Sequence, residues 1–320
     1  MAKYAFGVDV GGTTVKLGLF DADGSVLDKW EIPTVKDNEG VNILPDVAKS
    51  ILAKMKEKGI SEEELAGIGI GVPGAVDDAG TLVGGAVNIG WKPLNIPQQL
   101  HAYINVPVKA ANDANVAAFG EMWKGGGKGC SNMVAVTLGT GVGGGIIVNG
   151  AIITGSTGAA GEIGHIHIED SEIEECGCKN KGCLEQYASA TGIVRLARRR
   201  LAEDEKPSTL REGQLSAKAV FDAVKAGDQV AIEIAERFGR YLGKGLAMVG
   251  NVVNPEVFVI GGGVSKAGEI LLGFVEPELQ KYAFPPCRGV RLALAELGND
   301  AGIYGAAGLI LLGSNTPQQS

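Results

Sequence analysis
His165, Cys176, Cys178 and Cys183 gather one imidazole and three of the chain's five thiols into a short stretch. One His and three thiolates form a closed tetrahedral set of the kind that holds structural zinc, with no position left open for water. Close cysteines in a chain with no secretory features point to metal or redox chemistry, the alternative being a disulfide in a secreted protein. Glu162 lies three residues before His165, and Glu185 lies two after Cys183. A zinc clip tying these segments together would hold two carboxylates and an imidazole in fixed positions, which suits a polar ligand such as a sugar. His167 competes with His165 as the fourth ligand, since it would face the same side of a strand.

A second kind of chemistry is suggested by glycine. Asp9-Val-Gly11-Gly12-Thr13-Thr14-Val-Lys16 joins two expected strands through a turn of little bulk. Such a turn lets backbone N–H groups and the two threonine hydroxyls approach phosphate oxygens. Asp9, at the strand end, could hold Mg2+ directly or through water. A plain hairpin turn also accounts for this run taken alone. The run Leu138-Gly139-Thr140-Gly141-Val142-Gly143-Gly-Gly145 has the same character, and Gly261-Gly262-Gly263 follows a buried strand. At the third loop the missing side chains would let a purine ring lie flat on the backbone. Together the three point to a nucleotide held between two domains. None of them has the P-loop spacing, and no dinucleotide fingerprint is present.

Asn112-Asp113 sits at an expected strand-to-helix junction. Asp there can simply cap the helix. It can also accept a proton from a sugar hydroxyl while Asn112 anchors a neighbouring oxygen. Phosphoryl transfer needs mainly in-line positioning and charge neutralisation, with a base oriented on the nucleophile. No Ser-His-Asp or Cys-His set suggests a covalent intermediate.

The elements that must position these residues follow from periodicity. Strands are expected at Tyr4–Val10, Val15–Phe20, Ser25–Ile32, Ala66–Val72, Val106–Ala110, Met133–Leu138, Ile146–Asn149, Val257–Ile260 and Val290–Ala295. Helices are expected over about 41–55, Ala114–Trp123, Ile193–Ala202, Ala217–Ala226, Gln229–Val253, Ala267–Lys281 and Ala301–Leu312. Asp228 is the expected N-cap of the longest. The order describes two similar α/β halves, each opening with strand, glycine-rich turn, strand. The expected division is residues 1–115 plus about 301–320 against 116–300.

With 320 residues, 45% hydrophobic and 21% charged, the chain is long enough for two globular domains. A formal charge of −8 argues against a nucleic-acid partner. The first strand begins almost at once, so no signal peptide is expected, and no apolar run approaches the length of a membrane span. A soluble, cytoplasmic protein is expected. Cys130 and Cys287 read as ordinary small residues.

Asp9–Lys16, Gly71-Val-Pro-Gly74, Asn112-Asp113, Leu138–Gly145, Gly161–His165, the cysteine cluster and Gly261–Gly263 together resemble the ROK family of sugar kinases and repressors, most of all its bacterial glucokinases. The likeness runs over nearly the whole chain. It implies an actin-like ATPase (ribonuclease H-like) α/β fold, with two domains around a central cleft. It also implies ATP-dependent phosphorylation of a hexose at its 6-hydroxyl, with ATP, Mg2+ and structural Zn2+. By resemblance, Asp113 is the general base, and Gly74, Asn112, Glu162, His165 and Glu185 surround the sugar. The nucleotide falls to Asp9, Gly11, Gly12, Thr13, Thr14, Lys16, Gly139, Thr140, Gly141, Val142, Gly143, Gly261, Gly262 and Gly263. His165, Cys176, Cys178 and Cys183 bind zinc, His165 using its other ring nitrogen on the sugar. A homodimer or homotetramer is implied.

One departure is Lys179, where relatives usually carry Gly. If that position needs positive φ, Lys costs about 1 kcal/mol. Other readings are a kinase for N-acetylmannosamine, fructose or allose, a sugar-responsive regulator, and a non-catalytic sugar-binding protein. With only three residues before Tyr4, a regulator's helix-turn-helix is not expected. Intact Asp9 and Asp113 speak against the non-catalytic reading.

Overall fold
The structure is a computed structural model that describes residues 2–313. Its strands are β1 (Tyr4–Val10), β2 (Thr14–Asp21), β3 (Val26–Pro33), β4 (Leu65–Val72), β5 (Thr81–Leu82), β6 (Leu94–Asn95), β7 (Val108–Asn112), β8 (Met133–Leu138), β9 (Val142–Val148), β10 (Ala151–Ile152), β11 (Val257–Gly261) and β12 (Arg291–Leu294). Its helices are α1 (Asp37–Gly40), α2 (Ile43–Lys58), α3 (Ile96–His101), α4 (Asp113–Lys124), α5 (Glu185–Ala188), α6 (Ala190–Leu201), α7 (Ala217–Lys225), α8 (Gln229–Val253), α9 (Glu269–Tyr282) and α10 (Ala301–Leu311). The long periodic elements stand where the sequence places them. Elements too short to show a period, such as α3, α5 and the β5–β6 ribbon, were not anticipated. Asp228 caps α8 as expected, accepting from the Val230 and Ala231 amides.

The chain divides into two compact units. The first holds the residues up to Gly129, Ile152–Ala160 and those from Asn299 onward; the second holds Cys130–Ala151 and Gly161–Gly298. The sequence reading draws the division at 115/116, inside α4. The helix instead stays whole in the first unit, because Val116 and Gly120 pack directly on Gly305 and Ala301 of α10. Residues 314–320, assigned with that half, lie outside the described residues.

Each unit is built on one five-stranded sheet. In the first, with strand order β3-β2-β1-β4-β7, β1, β4 and β7 run parallel while β2 is antiparallel to both β1 and β3. Its core packs Phe6, Val8, Leu17, Ile68 and Ile70 against Val47 and Ile51 of α2. Helix α10 lies very close to the sheet, since a Cβ on Gly7 or Gly69 would strike the carbonyls of Ile303 or Ala306. In the second, with order β10-β9-β8-β11-β12, β8, β11 and β12 run parallel and β9 is antiparallel to β8. Val134, Val136, Phe258 and Ile260 pack there against helices that include Ile193, Phe238 and Leu246.

The glycine-rich turn expected over Gly139–Gly145 is shorter in the fold. Gly139–Gly145 is not one loop: β9 begins at Val142, and Val142 to Gly145 pair with Leu138 to Ala135. The turn is only Gly139–Gly141. The strand tolerates glycine because the chain crosses it closely. A Cβ on Gly144 would lie 2.6 Å from the Gly161 carbonyl oxygen and 2.8 Å from Ile163.

Candidate active site
Parallel register collects the first unit's polar residues at one edge of its sheet. Asp9 pairs with Gly71, and Val72 pairs with Asn112, so the chain leaves β1, β4 and β7 at neighbouring points. The carboxyl ends of parallel strands are where α/β sheets bind ligands. Asp9 is the next-to-last residue of β1, the Gly11–Thr13 turn follows that strand, Gly74 follows β4, and Asp113 opens α4. Gly74 takes φ 98°, and a Cβ there would lie 2.9 Å from the Gly85 carbonyl oxygen and from Leu82. Only glycine suits that position.

Asn112, not Asp113, is the cap of α4. Its Oδ1 accepts from the Ala114 and Asn115 amides at 3.0 and 3.2 Å, while its Nδ2 donates to Gly74 O and Asp113 Oδ1, both at 3.0 Å. These bonds saturate the amide. They also aim Asp113, whose Oδ1 accepts from the Ala114 amide at 2.8 Å. Burial raises the Asp113 pKa, opposed by the hydrogen bonds from Ala114 and Asn112. Burial, with the charge of Asp113 added and that of Lys16 opposing, lifts Asp9 to about 6. Lys16 Nζ donates to Asn299 O at 2.9 Å. Gly302 of α10 lies so close to Asp9 that a Cβ would stand 2.5 Å from its carboxylate.

The raised Asp9 pKa has a sign that can be tested. An Asp whose pKa rises from 3.8 to about 6 on folding stabilises the fold fully below pH 3.8 and loses that contribution as pH rises through 6. Ionised Asp9 therefore costs stability at neutral pH, on the order of 3 kcal/mol. Asp9→Asn should raise the denaturant midpoint at pH 7.5 without nucleotide or divalent cation, and give little gain at pH 4. Equal gains at both pH values would show that the carboxylate's charge is not the cause.

The second unit brings its glycine turns together by the same device. Thr137 of β8 pairs with Gly261 of β11. Gly262, at φ 86°, lies on the end of β8, where a Cβ would stand 2.5 Å from the Leu138 carbonyl oxygen. Its missing side chain serves this packing, whereas Gly263 and Gly139 face open space. Thr140 is exposed at the turn. Gly141 would bring a Cβ within 2.6 Å of Glu185 Oε2, and Gly143 is within the strand. Val142 is buried in the core, so only its backbone can face a nucleotide. Helix α6 anchors the turn: the Ala190 amide donates to Gly139 O at 2.8 Å, and Thr191 Oγ1 donates to Thr140 O at 2.8 Å.

The cysteine cluster forms. Donor atoms of His165, Cys176, Cys178 and Cys183 all lie within 4.8 Å of one another. Zn–S bonds of about 2.3 Å require tetrahedral edges of about 3.8 Å. Cys178 and Cys183 have their sulfurs 3.6 Å apart, and Cys176 Sγ is 3.7 Å from His165 Nδ1. The set fits zinc. His165 Nδ1 faces the sulfurs, while Nε2 is 3.9 Å from Glu162 Oε2. Glu185 Oε1 lies 3.8 Å from His165 Nδ1 and accepts a hydrogen bond from Cys176 Sγ at 2.8 Å. Burial and that hydrogen bond push the Cys176 thiol up to about 12, and a bound cation would reverse this by stabilising the thiolate. His167 is not part of the set. Its Nδ1 is 2.9 Å from Lys181 O and its Nε2 2.7 Å from Asp170.

Lys179 does take positive φ, at 74°, in the turn where its amide donates to Cys176 O. Sequence reasoning missed the anchor of this segment. Glu172, wholly buried, receives hydrogen bonds from Tyr187 and Arg199 and pairs with Arg195. Burial would raise its pKa, but these bonds prevail and hold it at about 2. Arg195 and Arg199, spaced four apart on α6, were the available signal.

A protein-family model described as "ROK family" matches residues 5–312. The chain belongs to the ROK family. It is 42% identical to the glucokinase of Halalkalibacterium halodurans over 99% of this chain and 98% of that protein. Among solved structures, a ROK family glucokinase from Streptomyces griseus in complex with glucose and AMPPNP is 32% identical, with a TM-score of 0.70 over 96% of this chain and 98% of that one. The ROK hexokinase of Thermus thermophilus is 30% identical, with a TM-score of 0.80 over 98% and 99%. The fold is the actin-like ATPase fold of the ROK sugar kinases. Among the described residues, no helix of this ROK protein is long and apolar enough to cross a membrane.

Proposed function
We propose that this ROK protein is a glucokinase, transferring the terminal phosphoryl group of ATP to the 6-hydroxyl of glucose. The observation that carries the reading is Asp113, a half-buried carboxylate tethered by Asn112, with its proton affinity raised by burial. Ionised Asp113 accepts the proton of the 6-hydroxyl as that oxygen attacks phosphorus. The bond from phosphorus to the ADP oxygen breaks, and the products are glucose 6-phosphate and ADP. Asn112 has its hydrogen bonds committed, so its share in sugar binding runs through Asp113 and Gly74. Glu162, His165 Nε2 and Glu185 take other sugar hydroxyls.

Asp9 would hold Mg2+, directly or through water, and Lys16 would limit the charge there. The Gly11–Thr14 and Gly139–Gly141 turns offer amides and hydroxyls to the phosphates, and the purine lies on Gly261–Gly263. His165, Cys176, Cys178 and Cys183 would hold zinc, which supplies a rigid clip and no reactive position. Glucose, N-acetylmannosamine, fructose and allose, assayed with Mg-ATP, test the reading. Glucose should give the highest kcat/KM and yield glucose 6-phosphate; a clear preference for another hexose would overturn it.

A further inference from the structure
We propose that Lys36 is a phosphate-binding residue of this enzyme, its ammonium set beside the Gly11–Thr13 turn to pair with a nucleotide phosphate. The inference rests on the reading of that turn as a phosphate cradle. Lys36 Nζ stands 3.9 Å from the position a side chain on Gly12 would take, and nothing else lies within 4 Å there. Gly12 therefore leaves an open approach with a cation at its side. Among the described residues, no acidic side chain pairs with Lys36 or hydrogen-bonds to its ammonium.

The chain fixes this placement from both directions. On one side, the Thr34 hydroxyl donates to Gly11 O at 2.8 Å and the Thr34 amide donates to Thr13 O at 2.9 Å. Thr34 is buried, so the strap leaving β3 is stapled to the turn on either side of Gly12. On the other side, Asn38, Glu39 and Gly40 take φ values of 51°, 61° and 69° in succession. Left-handed backbone at two non-glycine residues costs about 1 kcal/mol or more each and persists only where the surroundings enforce it. Here Trp91 Nε1 donates to Gly40 O at 2.9 Å, and Lys92 pairs with Glu39 at 2.8 Å. The Gly40 amide closes back on Lys36 O at 3.1 Å. The backbone beneath Lys36 is thus held, while its side chain stays exposed and can follow a phosphate. The neighbouring Asp9 and Asp113 also make a local cation useful, because an approaching phosphate meets negative charge at that edge.

Binding of Mg-AMPPNP, Mg-ADP and adenosine to wild type, Lys36→Met, Lys36→Arg and Thr13→Val, measured by calorimetry, tests this. Lys36→Met should raise the Kd of both phosphorylated ligands about five- to tenfold, the worth of one charge-assisted contact from an exposed lysine. Adenosine affinity should be unchanged, and Lys36→Arg should recover most of the loss. In turnover, KM for ATP should rise and KM for glucose should hold. Equal weakening of adenosine, or no weakening by Lys36→Met while Thr13→Val does weaken AMPPNP, would overturn the role of Lys36 and leave the cradle standing. If neither substitution affects AMPPNP, the cradle reading falls too. The exposed side chain makes a folding defect unexpected, and an unchanged melting temperature checks this.

Discussion

Asp113→Ala should lower kcat about 10²- to 10⁴-fold, the usual value of a positioned general base. Glucose binding, read by calorimetry, should weaken far less. The expectation follows from the division of labour at the β7–α4 junction. Asn112 caps the helix with its own Oδ1, so removing the Asp113 carboxylate leaves the cap and the tether to Gly74 in place. The lost group is the proposed proton acceptor, and the scaffold remains. Asp113→Asn, which keeps shape and loses basicity, should fall nearly as far.

The pH profile supplies a second reading. Because burial raises the Asp113 pKa above its ordinary 3.8, wild-type turnover should decline on the acid side earlier than an ordinary aspartate would allow. Asp9, lifted to about 6 in part by the charge of Asp113, also titrates on the acid side, so the acid limb belongs to the pair. The residual activity of Asp113→Ala should lose the Asp113 component. Turnover left nearly intact would place the base elsewhere.

Breaking the cysteine knot should have the other large effect. Elemental analysis is expected to find about one zinc per chain, a closed four-ligand set binding one ion. Cys178→Ser should release it, lower the melting temperature and reduce kcat/KM for glucose on the order of 10²-fold, since small displacements of positioning groups cost that much. Glu162 precedes His165 by three residues, Glu185 follows Cys183 by two, and the Glu185 carboxylate accepts from Cys176 and lies where a Cβ on Gly141 would meet it. Slack there reaches the residues proposed to bind the sugar and the glycine turn together.

The segment should not collapse completely. Glu172 remains clamped by Tyr187, Arg195 and Arg199, and Lys244 Nζ donates to Ile168 O. Limited proteolysis should therefore cut metal-free protein first between Glu174 and Cys183, outside that clamp. Full activity and unchanged proteolysis in a demonstrably zinc-free preparation would refute the scaffold role.

Several features were legible because they depend on near neighbours in the chain. The long helices and strands show their period over many residues, and the caps sit beside the amides they satisfy. The cysteine knot was legible too, since its ligands are close in sequence and their chemistry is narrow. Lys179 in the left-handed region follows from the tight turn between Cys176 and Asn180, where its amide closes on Cys176 O.

Other features depend on partners distant in sequence. That β9 begins at Val142 is decided by pairing with β8, which outweighs the turn preference of the glycines. That Asn112 and not Asp113 caps α4 is a matter of which side chain reaches the amides, and both types suit the position. His167 falls away as a ligand because Asp170 and the Lys181 carbonyl occupy its ring nitrogens. The membership of α4 in the first unit depends on glycine contacts with α10 near the other end of the chain.

The chain by itself pointed to the family, the two α/β halves, the Cys/His set that fits a metal and the carboxylate suited to be a base, since residue type and short spacing carry that chemistry. Tertiary structure alone decided the proton affinities of Asp9 and Asp113, the anchoring of the zinc segment by Glu172, and the placing of Lys36 beside Gly12. Burial and charge proximity are sums over atoms that folding brings together from distant positions, and no local pattern of residues contains them.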